Sequence, residues 1–113
     1  MILKINKMCK FILFCPKNWE LIEKIINAAA KEGAGIIGNY SHCAFVSEGV
    51  GVWKAQKGAK PNIGRIGKLS KEKEVKIEME CPKTKLEKVF KAIRKVHPYD
   101  KIAIDVVEIT RFE

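Results

Sequence analysis

Val75-Lys76-Ile77-Glu78-Met79-Glu80-Cys81-Pro82-Lys83-Thr84-Lys85-Leu86-Glu87-Lys88-Val89-Phe90 is the stretch whose reading decides the fold. From Val75 to Cys81 apolar and charged residues alternate, the period of a half-buried strand. Past Pro82 the period changes, and Leu86, Val89, Phe90, Ile93 and Val96 recur at helical spacing. Thr84 and Glu87 have the spacing of a capping box, which predicts a helix opening there and stopping at Pro98.

The same unit occurs upstream. Met8 to Cys15 is apolar except for Lys10, too short for a helix and suited to a central strand covered on both faces. Cys15-Pro16-Lys17 ends it as Cys81-Pro82-Lys83 ends the other. Glu23-Lys24-Ile25-Ile26 and Ala28 then match Glu87-Lys88-Val89-Phe90 and Ala92. Asn18 is the expected N-cap of a helix carrying Ile22, Ile25, Ile26 and Ala29, ended by Gly33 and Gly35. A second strand is expected from near Cys43 through Phe45 toward Trp53, and a last one from Ile102 to Ile109. Two such halves predict an α+β, ferredoxin-like β-α-β-β-α-β domain with a four-stranded antiparallel sheet in the order 4-1-3-2. The domain is taken as residues 8–113, with residues 1–7 an unassigned N-terminal extension.

At 113 residues the chain buries roughly 65% of its unfolded surface in one core. No apolar run reaches the length of a membrane span. Lys4, Lys7 and Lys10 precede Phe11-Ile12-Leu13-Phe14, but Pro16-Lys17 cuts that run short of a signal-peptide core. The expectation is a cytoplasmic chain with Cys9, Cys15, Cys43 and Cys81 as free thiols. The net charge of +9 invites a nucleic-acid reading, yet only Arg65, Arg94 and Arg111 among the 22 basic residues are arginine. Bidentate recognition of bases and phosphates favours Arg, so nucleic acid is disfavoured as a partner.

Helices cover one face of such a sheet. Ile12 and Phe14 place apolar residues on the other, and a symmetric homo-oligomer is the favoured cover over the chain's own long connection.

That connection, residues 47–72, carries Gly49, Gly51, Gly58, Gly64 and Gly67 and is a generic binding candidate. The plain alternative is that Val50 and Val52 extend a hairpin while Trp53 packs at an interface. Gly49-Val50-Gly51 lacks the helix opening of a dinucleotide fingerprint. His42 and Cys43 form the most reactive-looking pair, with Tyr40, Ser41 and Glu48 as polar neighbours. The strand order puts Cys9, Cys43, Cys81 and His42 toward one end of the sheet, and Cys15 and His97 toward the other. A metal needs three or four converging ligands, and buried Cys is usually a small hydrophobe, so packed thiols are favoured over a metal site. His42 is poorly placed to activate Cys43, because adjacent strand residues point to opposite faces. His97-Pro98-Tyr99-Asp100 has a structural account: Pro98 ends the helix, His97 sits at its negative end, and Tyr99 bonds across the entry to the last strand.

Gly38-Asn39-Tyr40-Ser41-His42-Cys43-Ala44-Phe45 resembles the signature of the domain inserted in YqfO-type members of the Nif-three-like dinuclear-metal family. Gly58-Ala59-Lys60-Pro61-Asn62-Ile63-Gly64, with Gly67-Lys68-Leu69, resembles its second stretch. His97-Pro98-Tyr99-Asp100 resembles an element shared with the CutA family. The resemblance implies a CutA- or PII-like fold that forms trimers, whose corresponding long loop contacts ligands or partners. It also implies a stand-alone inserted domain without the family's two-metal site, hence no enzyme activity. The reading is therefore an oligomeric binding or regulatory domain. Its ligand-binding candidates are Tyr40, His42, Cys43, Glu48, His97 and Tyr99, with no catalytic or metal-ligating residue assigned and the cofactor unknown. The alternatives are a CutA-type divalent-metal-binding protein and a docking module for a protein partner.

Overall fold

Strict alternation organises the first strand, β1 (Ile5–Pro16). Cys9, Phe11, Leu13 and Cys15 are buried on one face, whereas Lys10 and Ile12 are half-buried on the other and Phe14 is 43% exposed. In the computed structural model, which describes residues 2–113, the chain continues through α1 (Trp19–Lys31), β2 (Phe45–Lys54), β3 (Leu69–Cys81), a short 3-10 turn (Lys83–Lys85), α2 (Leu86–Val96) and β4 (Asp105–Phe112). The four strands lie in the order β2-β3-β1-β4, every neighbouring pair antiparallel. This is the expected β-α-β-β-α-β sheet, its order read from the opposite edge.

Both helices cover the face that holds Phe11 and Leu13. Asn18 caps α1 by accepting the Leu21 amide on Oδ1 at 3.1 Å, and Ile22, Ile25 and Ala29 are buried beneath. From α2, Val89 and Ile93 fill the same core, and Phe90 meets Phe11 edge-on with ring centroids 5.7 Å apart. Each fully buried Ile or Phe contributes about 1.5–3 kcal/mol. The capping box does not form. Thr84 lies inside the 3-10 turn, so its hydroxyl cannot precede the first turn of α2, and no side chain caps that helix. Glu87 instead pairs with Lys91, 3.1 Å away.

Strand ends differ from their sequence expectations for local reasons. β1 starts at Ile5, within the segment set apart as 1–7, because Ile5, Asn6 and Lys7 pair with Phe112, Arg111 and Thr110. β2 starts at Phe45 rather than Cys43, since His42 turns the chain with φ 61. β4 starts at Asp105 rather than Ile102. The β1–β4 ladder ends at Ile12↔Asp105, and before it Ile102 and Ile104 pack against the core while Arg94 donates to the carbonyls of Tyr99 and Asp100 at 2.9 and 3.1 Å.

The connection 47–72 is largely strand. β2 and β3 pair from Phe45↔Glu78 out to Lys54↔Leu69, whereas β1 reaches only Pro16↔Glu74 on β3. Beyond Pro16 the two strands continue as a ribbon, which lengthens the molecule to 56 Å against 23 and 21 Å in the other directions. Val50, Val52 and Leu69 are exposed on it. The sheet face away from the helices carries Phe14, Phe45 and Val107, all exposed in the single chain. Among the described residues no helix is long and apolar enough to cross a membrane.

Candidate functional site

The ribbon and the segment leading into β4 enclose a cleft of about 440 Å³ over the open sheet face. Register puts its floor together. Phe14 is opposite Lys76 and Pro16 opposite Glu74, and Trp53, opposite Ser70, shares their face. The far wall is Tyr99 to Ala103. The two walls are tied by Lys60, whose amide donates to Asp100 Oδ2 at 2.9 Å.

Tyr99 donates its hydroxyl to Glu74 Oε2 at this floor. Gly51 makes the pairing possible, because a Cβ there would occupy the space of the Glu74 carboxylate. Burial, followed by the bond to Glu74, raises the Tyr99 phenol above its ordinary value, so it remains a neutral donor at physiological pH. His97 supports Tyr99 from behind. Its Nε2 lies 2.7 Å from the Phe14 carbonyl, while Nδ1 accepts the Tyr99 amide at 3.1 Å. An accepting Nδ1 requires the proton on Nε2, which makes the ring the neutral Nε2–H tautomer. Its pKa is lowered chiefly by burial, against the Phe14 bond that raises it. Both ring nitrogens are thereby committed to the backbone.

A second cleft of about 440 Å³ lies near the other end of the sheet, with Cys43, Phe45, Glu80 and Arg111 in its wall. Gly35 shapes that end. Its φ of 76 suits glycine, its amide donates to Glu80 O and its carbonyl accepts from Cys43 N, both at 2.8 Å. An added Cβ would press on the Cys43 backbone and on Met79 at 2.9 Å.

The six residues singled out in the sequence are therefore dispersed. Tyr99 lines the first cleft and His97 lies buried behind it. Cys43 lines the second, its Sγ 3.9 Å from the Ser41 carbonyl. Tyr40 is 75% exposed in a turn closed against Ile37, and the His42 Nδ1 contacts the Ser41 hydroxyl at 2.8 Å. Glu48 lies opposite Val75, on the helix side of the sheet, and pairs with Lys17 at 2.7 Å. Cys9 and Cys81 face each other in register and both are buried. Among the described residues no three His, Cys, Asp or Glu side chains converge as metal ligands. All four cysteines are free, and burial pushes Cys15 up to about 12 and Cys81 up to about 11, with Glu74 and Cys9 as the respective lesser causes.

Glu74 was not singled out in the sequence, Gly51 entered only as one of the glycines of the long connection, and Arg94 only as one of three arginines. A glycine inside an alternating strand, diagonal to a glutamate on the paired strand, is the signal that could have found the first two.

The sheet order, paired helices and long ribbon define an α+β domain of the CutA type. CutA1 of Pyrococcus horikoshii superposes with a TM-score of 0.65 at 24% identity, over 89% of this chain and 82% of that one. In sequence, the chain is homologous to one domain-length segment of the NIF3-related proteins. A Bacillus cereus protein related to NIF3 has TM-score 0.77 and 38% identity over 94% of this chain and 26% of that one. The GTP cyclohydrolase 1 type 2 homolog of Bacillus subtilis (strain 168) is 43% identical over 100 residues, 88% of this chain and 26% of the relative. The chain thus spans about a quarter of the length of the relatives it matches. No family model matches it.

Proposed function

We propose that this chain is a small cytoplasmic, homo-oligomeric binding domain, a trimer, whose ligand site is the cleft floored by Phe14 and Trp53. The observation that carries this reading is the Tyr99–Glu74 bond, a polar pair held in an otherwise largely apolar recess. Concave, mostly apolar sites with a few fixed polar groups are the usual form of small-molecule sites. The open sheet face around Phe14, Phe45 and Val107 supports covering by sister copies, which would place the cleft beside a subunit boundary.

Binding is favoured over catalysis. The His97 nitrogens are engaged, and the Cys15 thiol, buried in the core on the helix side of the sheet, is held protonated. The cyclohydrolase name belongs to homologues of which this chain covers about a quarter. The test is a thermal-stability screen against a small-molecule library, repeated with Trp53→Ala and Tyr99→Phe. A hit that raises Tm in the parent and loses its effect in both variants supports the site. Hits unaffected by either variant remove the cleft from the function.

A further inference from the structure

The hairpin end of the molecule has an unusual charge balance. From Lys54 to Lys73 the sequence holds seven Lys and Arg residues against one acid, Glu72. All seven cations are exposed. Among the described residues the ion pairs involve Lys10, Lys17, Lys24, Lys83, Lys91 and Arg111, and none of the hairpin cations. Two lysines, Lys54 and Lys101, line the cleft itself, and Lys57 and Lys60 flank lining residues in the hairpin loop. The lining's two acids, Glu74 and Asp100, accept from the Tyr99 hydroxyl and the Lys60 amide and keep their charge, so the cationic surplus at the cleft is that of the surrounding hairpin lysines. Inside this cationic rim the surface is aromatic and aliphatic, with Phe14, Trp53, Pro61, Ile102 and Ala103.

An apolar recess with an aromatic floor selects a flat hydrophobic body, and unpaired lysines at its mouth select negative charge. We infer that the cleft takes an aromatic anion, its ring against Trp53 and Phe14 and its phosphate or carboxylate among Lys54, Lys101 and the hairpin lysines. This rests on reading the cleft as the ligand site and adds the chemistry of the ligand. Lysine heads act here as point charges without bidentate geometry, so phosphate and carboxylate satisfy the same rim. Both sources share the chemistry, and the experiment separates them.

The reporter is the Trp53 indole N–H in an NMR titration of the Trp19→Phe protein, which leaves Trp53 as the only indole signal. The probes are adenosine triphosphate, phenylpyruvate, adenosine and inorganic triphosphate. At least one aromatic anion should shift the signal saturably, ten-fold or more tighter than adenosine or inorganic triphosphate. Whichever of the two binds identifies the anionic group preferred. Lys54→Gln with Lys101→Gln should weaken that anion ten-fold or more at low salt and leave adenosine unchanged. Equal affinity for adenosine and its triphosphate with no response to phenylpyruvate, or an anion unaffected by the lysine changes, overturns the inference while leaving the cleft a ligand site. An unmoved Trp53 signal with every probe also overturns it, and the library screen then decides the site separately.

Discussion

Tyr99 and Glu74, 25 residues apart in sequence, are joined by a hydrogen bond from the phenol to the carboxylate. The bond ties the segment entering β4 to the base of the hairpin ribbon. Tyr99→Phe keeps the ring and removes the donor. A hydrogen bond to a charged acceptor is worth about 1.5–3 kcal/mol, and Glu74 is only half-buried, so a loss of about 1–2 kcal/mol is expected in urea unfolding. The raised phenol pKa adds a pH signature. The folded state holds the Tyr99 proton more tightly than the unfolded state, so this contribution is complete below about pH 10 and falls as pH rises further. That alkaline loss should be shallower in Tyr99→Phe.

Gly51 clears the space that the Glu74 carboxylate occupies. Gly51→Ala forces the carboxylate aside and breaks its bond to Tyr99. The expected cost is about 1–3 kcal/mol, the range for overpacking a filled site. Gly49→Ala is the control, because nothing lies within 4 Å of a Cβ at that position. Comparable losses in the two variants would show that strand geometry, rather than the carboxylate, makes Gly51 necessary.

His97 gives the fold an acid limit. Its pKa is lowered in the folded state, so below the ordinary value near 6.5 the unfolded chain binds more protons. The stability contributed by the neutral ring is complete above that value and is lost as pH falls toward the folded pKa. His97→Ala leaves the Phe14 carbonyl and Tyr99 amide without their partner, at about 2–4 kcal/mol for two buried groups. Urea midpoints at pH 5 and pH 7.5 should differ less in the variant than in the parent.

The thiols should separate by burial. Cys9, Cys15 and Cys81 are buried and Cys43 is half-buried. Alkylation at pH 7.5 followed by mass spectrometry should label Cys43 in the native protein and the other three only after unfolding. Rapid native labelling of Cys15 would contradict its burial in the core between sheet and helices.

Periodicity made the architecture legible. The alternation Val75, Ile77, Met79, Cys81 and the helical stripe Val89, Phe90, Ile93 are local patterns, and burial in the structure follows them. Features set by single side-chain contacts were not legible. Arg94 holds the carbonyls of Tyr99 and Asp100 from a position that no pattern distinguishes from an ordinary surface arginine. The Tyr40–Glu48 segment was read as one site because its residues are neighbours in sequence. The fold instead sends Glu48 to the helix side, Cys43 to the second cleft and Tyr40 into an exposed turn. Glu74 could be joined to Tyr99 only once the β1–β3 and β2–β3 registers were known.

Covering of the open sheet face by sister copies is the claim on which the proposed mode of action turns. Light scattering at micromolar concentration measures it directly. The account expects a particle of about three times the 12.8 kDa chain mass. A stable particle of one chain mass, with Phe14 and Phe45 left in water, would contradict it.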